Sequence, residues 1–231
     1  MTKFIFSRDV MERYPDVSIG VIVAKGMNNF GKNPEIKQML LDAQESARKT
    51  IDAAKITEHP TIAKWRGIYS DFGSKPRDYR CSIEALIRSV LNGREIRHIN
   101  KLVDLYNFIS LKYFMPVGGE DLDKIEGDIF FKYAEGDEVF VPLGTQKPEN
   151  AYRGEIIYCD SQGNVLCRRW NWRESDTTKM TEETKNTIIV LEGFDENVEA
   201  AARELSGMIE KFCGVATQTF IINKNNTEIE F

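Results

Sequence analysis

The sequence predicts an α+β fold: a mixed β-sheet with helices mostly in the N-terminal half and one near the C-terminus. Three observations carry this. Apolar residues recur at helical spacing up to about residue 110, short β-branched runs broken by Gly and Pro turns follow Gly119, and one amphipathic stretch returns near the end. No internal repeat, low-complexity tract or linker interrupts the chain, so residues 1–231 read as a single compact domain.

Taken in order, Val17 to Ala24 is short and β-branched and ends in Lys25-Gly26-Met27-Asn28-Asn29, which reads as a buried strand and turn. Pro34 opens a helix over Glu35 to Lys55, with Ile36, Leu40, Leu41, Ala47, Ile51 and Ala54 on its apolar face. His59-Pro60 interrupts it, and Thr61 to Ser70 is a further helix carrying Trp65 and Tyr69. Phe72 to Arg80 is a loop by its Gly and Pro content. Ser82 is the expected cap of a helix running to Leu91, which Asn92-Gly93 closes. The next helix covers Asn100 to Ser110 and is stopped by Pro116-Val117-Gly118-Gly119. Asp128 to Ala134, Glu138 to Val141, Gly154 to Tyr158, Asn164 to Trp170 and Thr187 to Leu191 are strands, Asn197 to Phe212 is the amphipathic helix, and Thr217 to Ile222 is a last strand before a polar tail.

Composition excludes several classes. With 42% hydrophobic and 29% charged residues the chain is an ordinary globular protein, and no apolar run approaches the roughly 20 residues of a membrane span. The first residues lack the apolar core of a signal peptide, so a cytoplasmic location without membrane contact is expected. Cys81, Cys159, Cys167 and Cys213 are too scattered for a zinc site, with only His59 and His98 to assist, so no metal is expected and the thiols read as small apolar groups. Cys159 and Cys167 are close enough in sequence to face each other across a hairpin. There is no nucleophile elbow and no glycine-rich phosphate loop, and no cofactor is implied.

Four features are candidates for function. Asn100, Asp104 and Asn107 share one helix face among apolar residues, so they form either a hydrogen-bond hub or part of a binding site. Residues 75–101 carry seven Lys and Arg against three acidic residues on a chain of net charge -5. Such a strip suits one polyanionic contact or forms a solvated, ion-paired helix face. Gly118-Gly119 brings backbone N–H groups close to a ligand oxygen or ends a helix. In the run from Arg168 to Glu174, Trp170 and Trp172 alternate with Asn171 and Arg173, either as a stacking platform or as a strand with its Trp side chains inward.

The run Ile99-Asn100-Lys101-Leu102-Val103-Asp104-Leu105-Tyr106-Asn107-Phe108, followed by Pro116 and Asp121, resembles the Ile-Asn-x-x-Val-Asp-x-x-Asn-Tyr pattern of the tRNA-editing domain in the bacterial phenylalanyl-tRNA synthetase β subunit. Thr181-Glu182-Glu183-Thr184 with Ile189, Leu191 and Phe194 resembles that domain's closing strand region. The likeness spans residues 72–200, with 1–71 expected as a strand-helix extension packed on it. It implies a trans-acting editing module that binds aminoacylated tRNA and hydrolyses the ester of a mischarged species, with the substrate's ribose hydroxyl assisting. The alternative is a non-catalytic module holding tRNA or a small amino-acid-like ligand in the same pocket.

Nothing of a synthetase's aminoacylation core is present. By the resemblance, Asn107 matches a pocket asparagine, Tyr106 stands where bacterial members have threonine, Gly118 stands at the position of a pocket histidine, and Glu174 matches a functional glutamate. The catalytic set implied is Asn107, Asn171 and Glu174. Tyr106, Gly118, Gly119, Trp170 and Trp172 shape the pocket, and Arg80, Arg88, Arg168 and Arg173 meet tRNA.

Overall fold

The computed structural model describes residues 1–194 and 197–231. Two large sheets form its frame. The first has six strands in the order β12 (Glu228–Glu230), β1 (Lys3–Phe6), β4 (Ile129–Tyr133), β7 (Ile156–Asp160), β8 (Val165–Arg168) and β9 (Arg173–Glu174). The second has four, in the order β11 (Thr217–Ile222), β2 (Ser18–Lys25), β10 (Asn186–Gly193) and β3 (Val117–Asp121). All neighbours are antiparallel except β1 with β4. A short ribbon, β5 (Val139–Phe140) with β6 (Glu149–Asn150), lies apart. β1 and β2 each occupy an interior position, so the first 25 residues are woven into both sheets.

The helices are α1 (Arg8–Arg13), α2 (Pro34–Thr50), α3 (Pro60–Asp71), α4 (Ser82–Leu91), α5 (Lys101–Tyr113) and α6 (Asn197–Cys213). None is long and apolar enough to cross a membrane. Strand alternation divides the burial. Ile22, Ala24, Ile189 and Leu191 pack with Leu102, Leu105 and Ile109 of α5 and Ala201, Ala202 and Leu205 of α6. Ile19, Val21, Val23 and Ile188 join Phe4, Phe6, Phe131, Tyr158 and Trp170 in the core between the sheets. The ribbon covers the outer side of the first sheet, where Phe140, Ile157, Cys159 and Val165 cluster.

The structure adjusts several sequence expectations. α2 ends at Thr50 because Ile51 turns extended. The side chain of Ser82 does not cap α4; Cys81 is the N-cap residue, and no side chain accepts there. β1, β3 and β12 were not expected. Val-Gly-Gly-Glu-Asp has little strand propensity and becomes β3 through pairing with β10, with Gly118 opposite Val190 and Gly119 opposite Ile189. The strand expected to reach Trp170 stops at Arg168, because Arg169 and Trp170 take left-handed φ values of 47° and 67°. Cys159 and Cys167 lie in different clusters, and all four thiols are free and buried.

Candidate functional site

Between the two sheets lies a narrow cavity with about 40 Å³ of room for the centres of water-sized molecules. Its walls are mostly apolar, with Phe4, Ile129, Leu166 and Trp170 on one side and Val117, Ile188 and Val190 on the other. Three carboxyl groups, from Glu120, Glu174 and Glu192, line the same space. Chain periodicity puts them there. Glu192 continues the alternate row Ile188, Val190 of β10, Glu120 follows the two glycines of β3, and Glu174 sits on edge strand β9.

Glu192 is the best anchored of the three. It accepts hydrogen bonds from Trp170 Nε1 at 2.9 Å, Asn171 Nδ2 at 2.6 Å and the Tyr158 hydroxyl. Tyr69 donates to Asn171 Oδ1 at 2.9 Å and thereby fixes which end of the amide faces the glutamate. Burial nevertheless lifts the Glu192 carboxyl to about 7, with the nearby Glu174 charge adding to the rise and the three donors opposing it. Burial also raises Glu120, reinforced by the Glu174 charge, and Glu120 Oε2 receives no hydrogen bond from any donor among the described residues. Glu174 is raised by burial as well. Two adjacent buried carboxyls cannot both ionise cheaply, so burial and their mutual repulsion raise the pair together and favour one proton shared between them.

The glycines make the arrangement possible. A Cβ on Gly118 would overlap Glu174 Oε1, and one on Gly119 would lie 2.8 Å from the Ile188 carbonyl oxygen, inside contact distance with backbone. Gly118 is therefore the floor on which the Glu174 carboxyl rests. Ser82 also lines the cavity, with a buried hydroxyl that has no partner among the described residues.

Of the residues singled out from sequence, Gly118, Gly119, Trp170, Asn171 and Glu174 meet in this cavity. Asn107 does not: it is half-buried on α5 and absent from the lining. Tyr106 is half-buried beside the α5–α6 core, and burial with the charges of Glu174, Glu120 and Asp104 raises its hydroxyl, which puts it near the acid pair without facing the cavity. Trp172 packs edge-on against Tyr79 at 4.9 Å on the other side of the turn. Asn100 caps α5 by accepting from Val103 N at 2.9 Å, and Asp104 is bound to His98 Nδ1 at 2.5 Å.

The arginines separate by environment. Arg168 is not a surface contact for tRNA: it is 2% exposed and bound to Glu155 at 2.5 and 3.0 Å and to Glu149 at 2.5 Å. The long outward strand expected there ends at that residue, and its charge is spent internally. Arg80 and Arg88 flank the fully buried Glu84, at 3.8 and 2.9 Å, together with Arg66 at 3.0 Å. One carboxylate against three guanidinium groups leaves this strip positive and partly exposed. Arg173 is exposed and donates to the Leu143 carbonyl at 2.9 Å.

Sequence reasoning missed Glu120 and Glu192. The signal for Glu192 was present, since an acid in the alternating row Ile188, Val190, Glu192 must fall on a buried face. Glu120 was hidden because its strand was read as a helix stop.

Comparison with known proteins identifies a family. The B3/4 domain family matches residues 64–213, which contain α4, α5, all three cavity glutamates and both glycines. The chain is 26% identical over 146 residues to the phenylalanine–tRNA ligase beta subunit of Fusobacterium nucleatum, covering 62% of this chain and 17% of that protein. It is 30% identical over 79 residues to the same subunit from Mycoplasma genitalium, covering 34% of this chain and 10% of that protein. It thus spans less than a fifth of the length of these relatives. A similar solved structure is an N-terminal fragment of the phenylalanyl-tRNA synthetase beta subunit from Pyrococcus horikoshii, at 18% identity and a TM-score of 0.47, covering 93% of this chain and 49% of that one. The match across most of the chain's length settles its membership: the chain belongs to the B3/4 domain family.

Proposed function

We propose that this protein is a tRNA-binding module whose inter-sheet cavity receives the aminoacyl end of tRNA and hydrolyses the ester of a mischarged species in trans. The observation that carries the reading is the convergence of Glu120, Glu174 and Glu192 on one apolar-walled cavity. An aminoacyl ester carries an ammonium group beside the carbonyl to be attacked. The Glu120–Glu174 pair offers that ammonium a negative charge and a free acceptor oxygen in a place where water competes poorly. The cavity has room of only about 40 Å³, so its apolar walls part to take the amino-acid side chain.

Hydrolysis needs a water molecule, a proton acceptor and a leaving group. Glu174 accepts the proton as the water oxygen bonds to the ester carbon. The bond from that carbon to the ribose oxygen then breaks, Glu174 returns its proton so that the ribose oxygen leaves as a hydroxyl, and a free amino acid departs. Asn171 is held too firmly by Tyr69 and Glu192 to move with the reaction, so its part is to position Glu192 and the turn beneath the substrate. The exposed or partly exposed arginines Arg80, Arg88 and Arg173 supply phosphate contacts, and Asn107, outside the cavity lining, has no part in the step. The setting is the cytoplasm, where charged tRNA is found.

Glu192, saturated by the protein's own donors, favours a second reading in which the cavity binds an aminoacyl group or a small amino-acid-like ligand without hydrolysing it. Turnover separates the two. A panel of misacylated tRNAs is incubated with the protein, with Glu174→Gln and with Asn107→Ala, and remaining ester is followed over time. Hydrolysis of at least one species that is lost in Glu174→Gln supports catalysis. Persistence of every ester, with binding retained, leaves only the binding module.

A further inference from the structure

The turn that places Trp170 and Asn171 in the cavity turns Arg169 the other way, into a surface groove of about 350 Å³ that also touches Lys75, Asp78, Tyr79, Tyr152 and Arg153. Arg169 is only 3% exposed, yet its Nη1 has no hydrogen-bond partner among the described residues. Its guanidinium carbon lies 3.7 Å from the Tyr79 ring centre, 4.7 Å from Trp172 and 5.3 Å from Tyr152. The nearest acid is Glu155, at 3.4 Å, but both oxygens of Glu155 are already taken by Arg168 at 2.5 and 3.0 Å. Arg169 is therefore a buried cation with an incomplete set of partners, framed by flat rings and open on one side.

We propose that Arg169 is the floor of a second subsite that binds the phosphate of a nucleotide whose base stacks on Tyr152. Tyr152 is 65% exposed at the rim of this groove, so its ring has a face open to stack a base. A planar guanidinium fixed between rings presents its donors in the geometry that phosphate oxygens match, and Lys75 and Arg153 add charge beside it. Burial depresses the Arg169 guanidinium, and an incoming anion would relieve that cost. Two sources share this chemistry, the single-stranded end of an RNA and a free nucleotide. We assign the RNA end, an assignment that rests on the proposed function, because the groove and the cavity lie on opposite sides of the same four-residue turn, 169–172.

The test uses unacylated RNA, so it is independent of ester hydrolysis. A fluorescein-labelled single-stranded oligoribonucleotide is titrated with the full chain at low salt, with Arg169→Gln and Tyr152→Ala beside it, and then competed with a nucleoside monophosphate and with inorganic phosphate. The expected result is that both variants bind about tenfold or more weakly, the loss typical of one stacked base or one charged contact, and that the nucleotide competes better than inorganic phosphate. Tyr152→Ala changes an exposed side chain and keeps the test valid if Arg169→Gln fails to fold. Binding of the nucleoside monophosphate measured directly by calorimetry, without oligonucleotide binding, supports the subsite and assigns it to a free nucleotide. Wild-type binding in Tyr152→Ala, equal competition by phosphate and nucleotide, or no binding of any probe overturns the inference. Because the probe carries no amino acid, its binding is read apart from ester hydrolysis: loss of hydrolysis with probe binding kept sinks the proposed function alone, and loss of probe binding with hydrolysis kept sinks the subsite alone.

Discussion

Replacing Glu192 with glutamine tests the electrostatics of the cavity directly. The folded protein holds the Glu192 proton up to a pH of about 7, against 4.5 for an ordinary glutamate. A proton bound more tightly by the folded state stabilises it fully below the ordinary value, and this contribution is lost as pH rises through the folded value. A gap of this size is worth about 3 kcal/mol. The glutamine variant lacks this pH dependence, but its amide nitrogen would meet Asn171 Nδ2, a donor against a donor. Asn171 cannot simply flip, because Tyr69 already donates to its oxygen. A buried donor left unpaired costs about 1–3 kcal/mol. Below pH 4.5, Glu192→Gln is therefore less stable than wild type by roughly that amount. As pH rises to 8 the wild type loses about 3 kcal/mol relative to the variant, and the two curves converge or cross. For a chain of this length that is a relative shift in Tm of roughly 6–12 °C, read by thermal unfolding of both proteins from pH 4 to 8. A difference between them that stays constant with pH would refute the claim that Glu192 changes charge in this window.

Three further outcomes follow from the geometry. Gly118→Ala should displace the Glu174 carboxyl, with a cost of about 1–3 kcal/mol in stability from overpacking, measured by denaturant unfolding, and with loss of any ester hydrolysis. Arg168→Met should destabilise by about 3–5 kcal/mol, since it strands Glu155 without its main partner; calorimetry checks this, and tRNA affinity measured on the folded fraction should not change. Arg80→Ala should weaken tRNA binding and reduce the slope of log K against log salt by roughly one counterion, without affecting thermal stability by more than about 1 kcal/mol because its ion pair is long and exposed.

The elements most legible in the sequence were those whose local signals and tertiary roles agree. α4, with apolar residues Ile83, Ile87 and Val90 inward and Gly93 in a left-handed turn, runs from Ser82 to Leu91 as its pattern indicates. β2, α6 and β11 behave likewise. The elements that were not legible depend on distant partners. β3 is made by β10, β12 exists only beside β1, and the strand through Arg168 is cut by two left-handed residues that no propensity favours. The site followed the same rule. The family-like motif led to Gly118 and to the Trp170–Glu174 turn, which do meet, but it also pointed to Asn107, which is half-buried on α5 and does not line the cavity. The acids that give the cavity its character sit in strands whose inner faces are fixed only once both sheets have formed.

The placement of β1 and β2 also has a consequence for the order in which the molecule is made. β1 lies between β4 and β12, and β2 lies between β10 and β11, so the first 25 residues stay without their full set of neighbours until the segment 217–230 has emerged from the ribosome. Loop closure over such separations is slow and leaves strand edges open meanwhile. During synthesis the helices α2 to α5 can form early from local contacts, while the cavity, whose walls come from Phe4 at one end of the chain and β10 near the other, is among the last parts to be assembled. Truncating the message before residue 186, which removes β10 and with it Ile188, Val190 and Glu192 of the cavity wall, should therefore yield a helical chain that has no pocket.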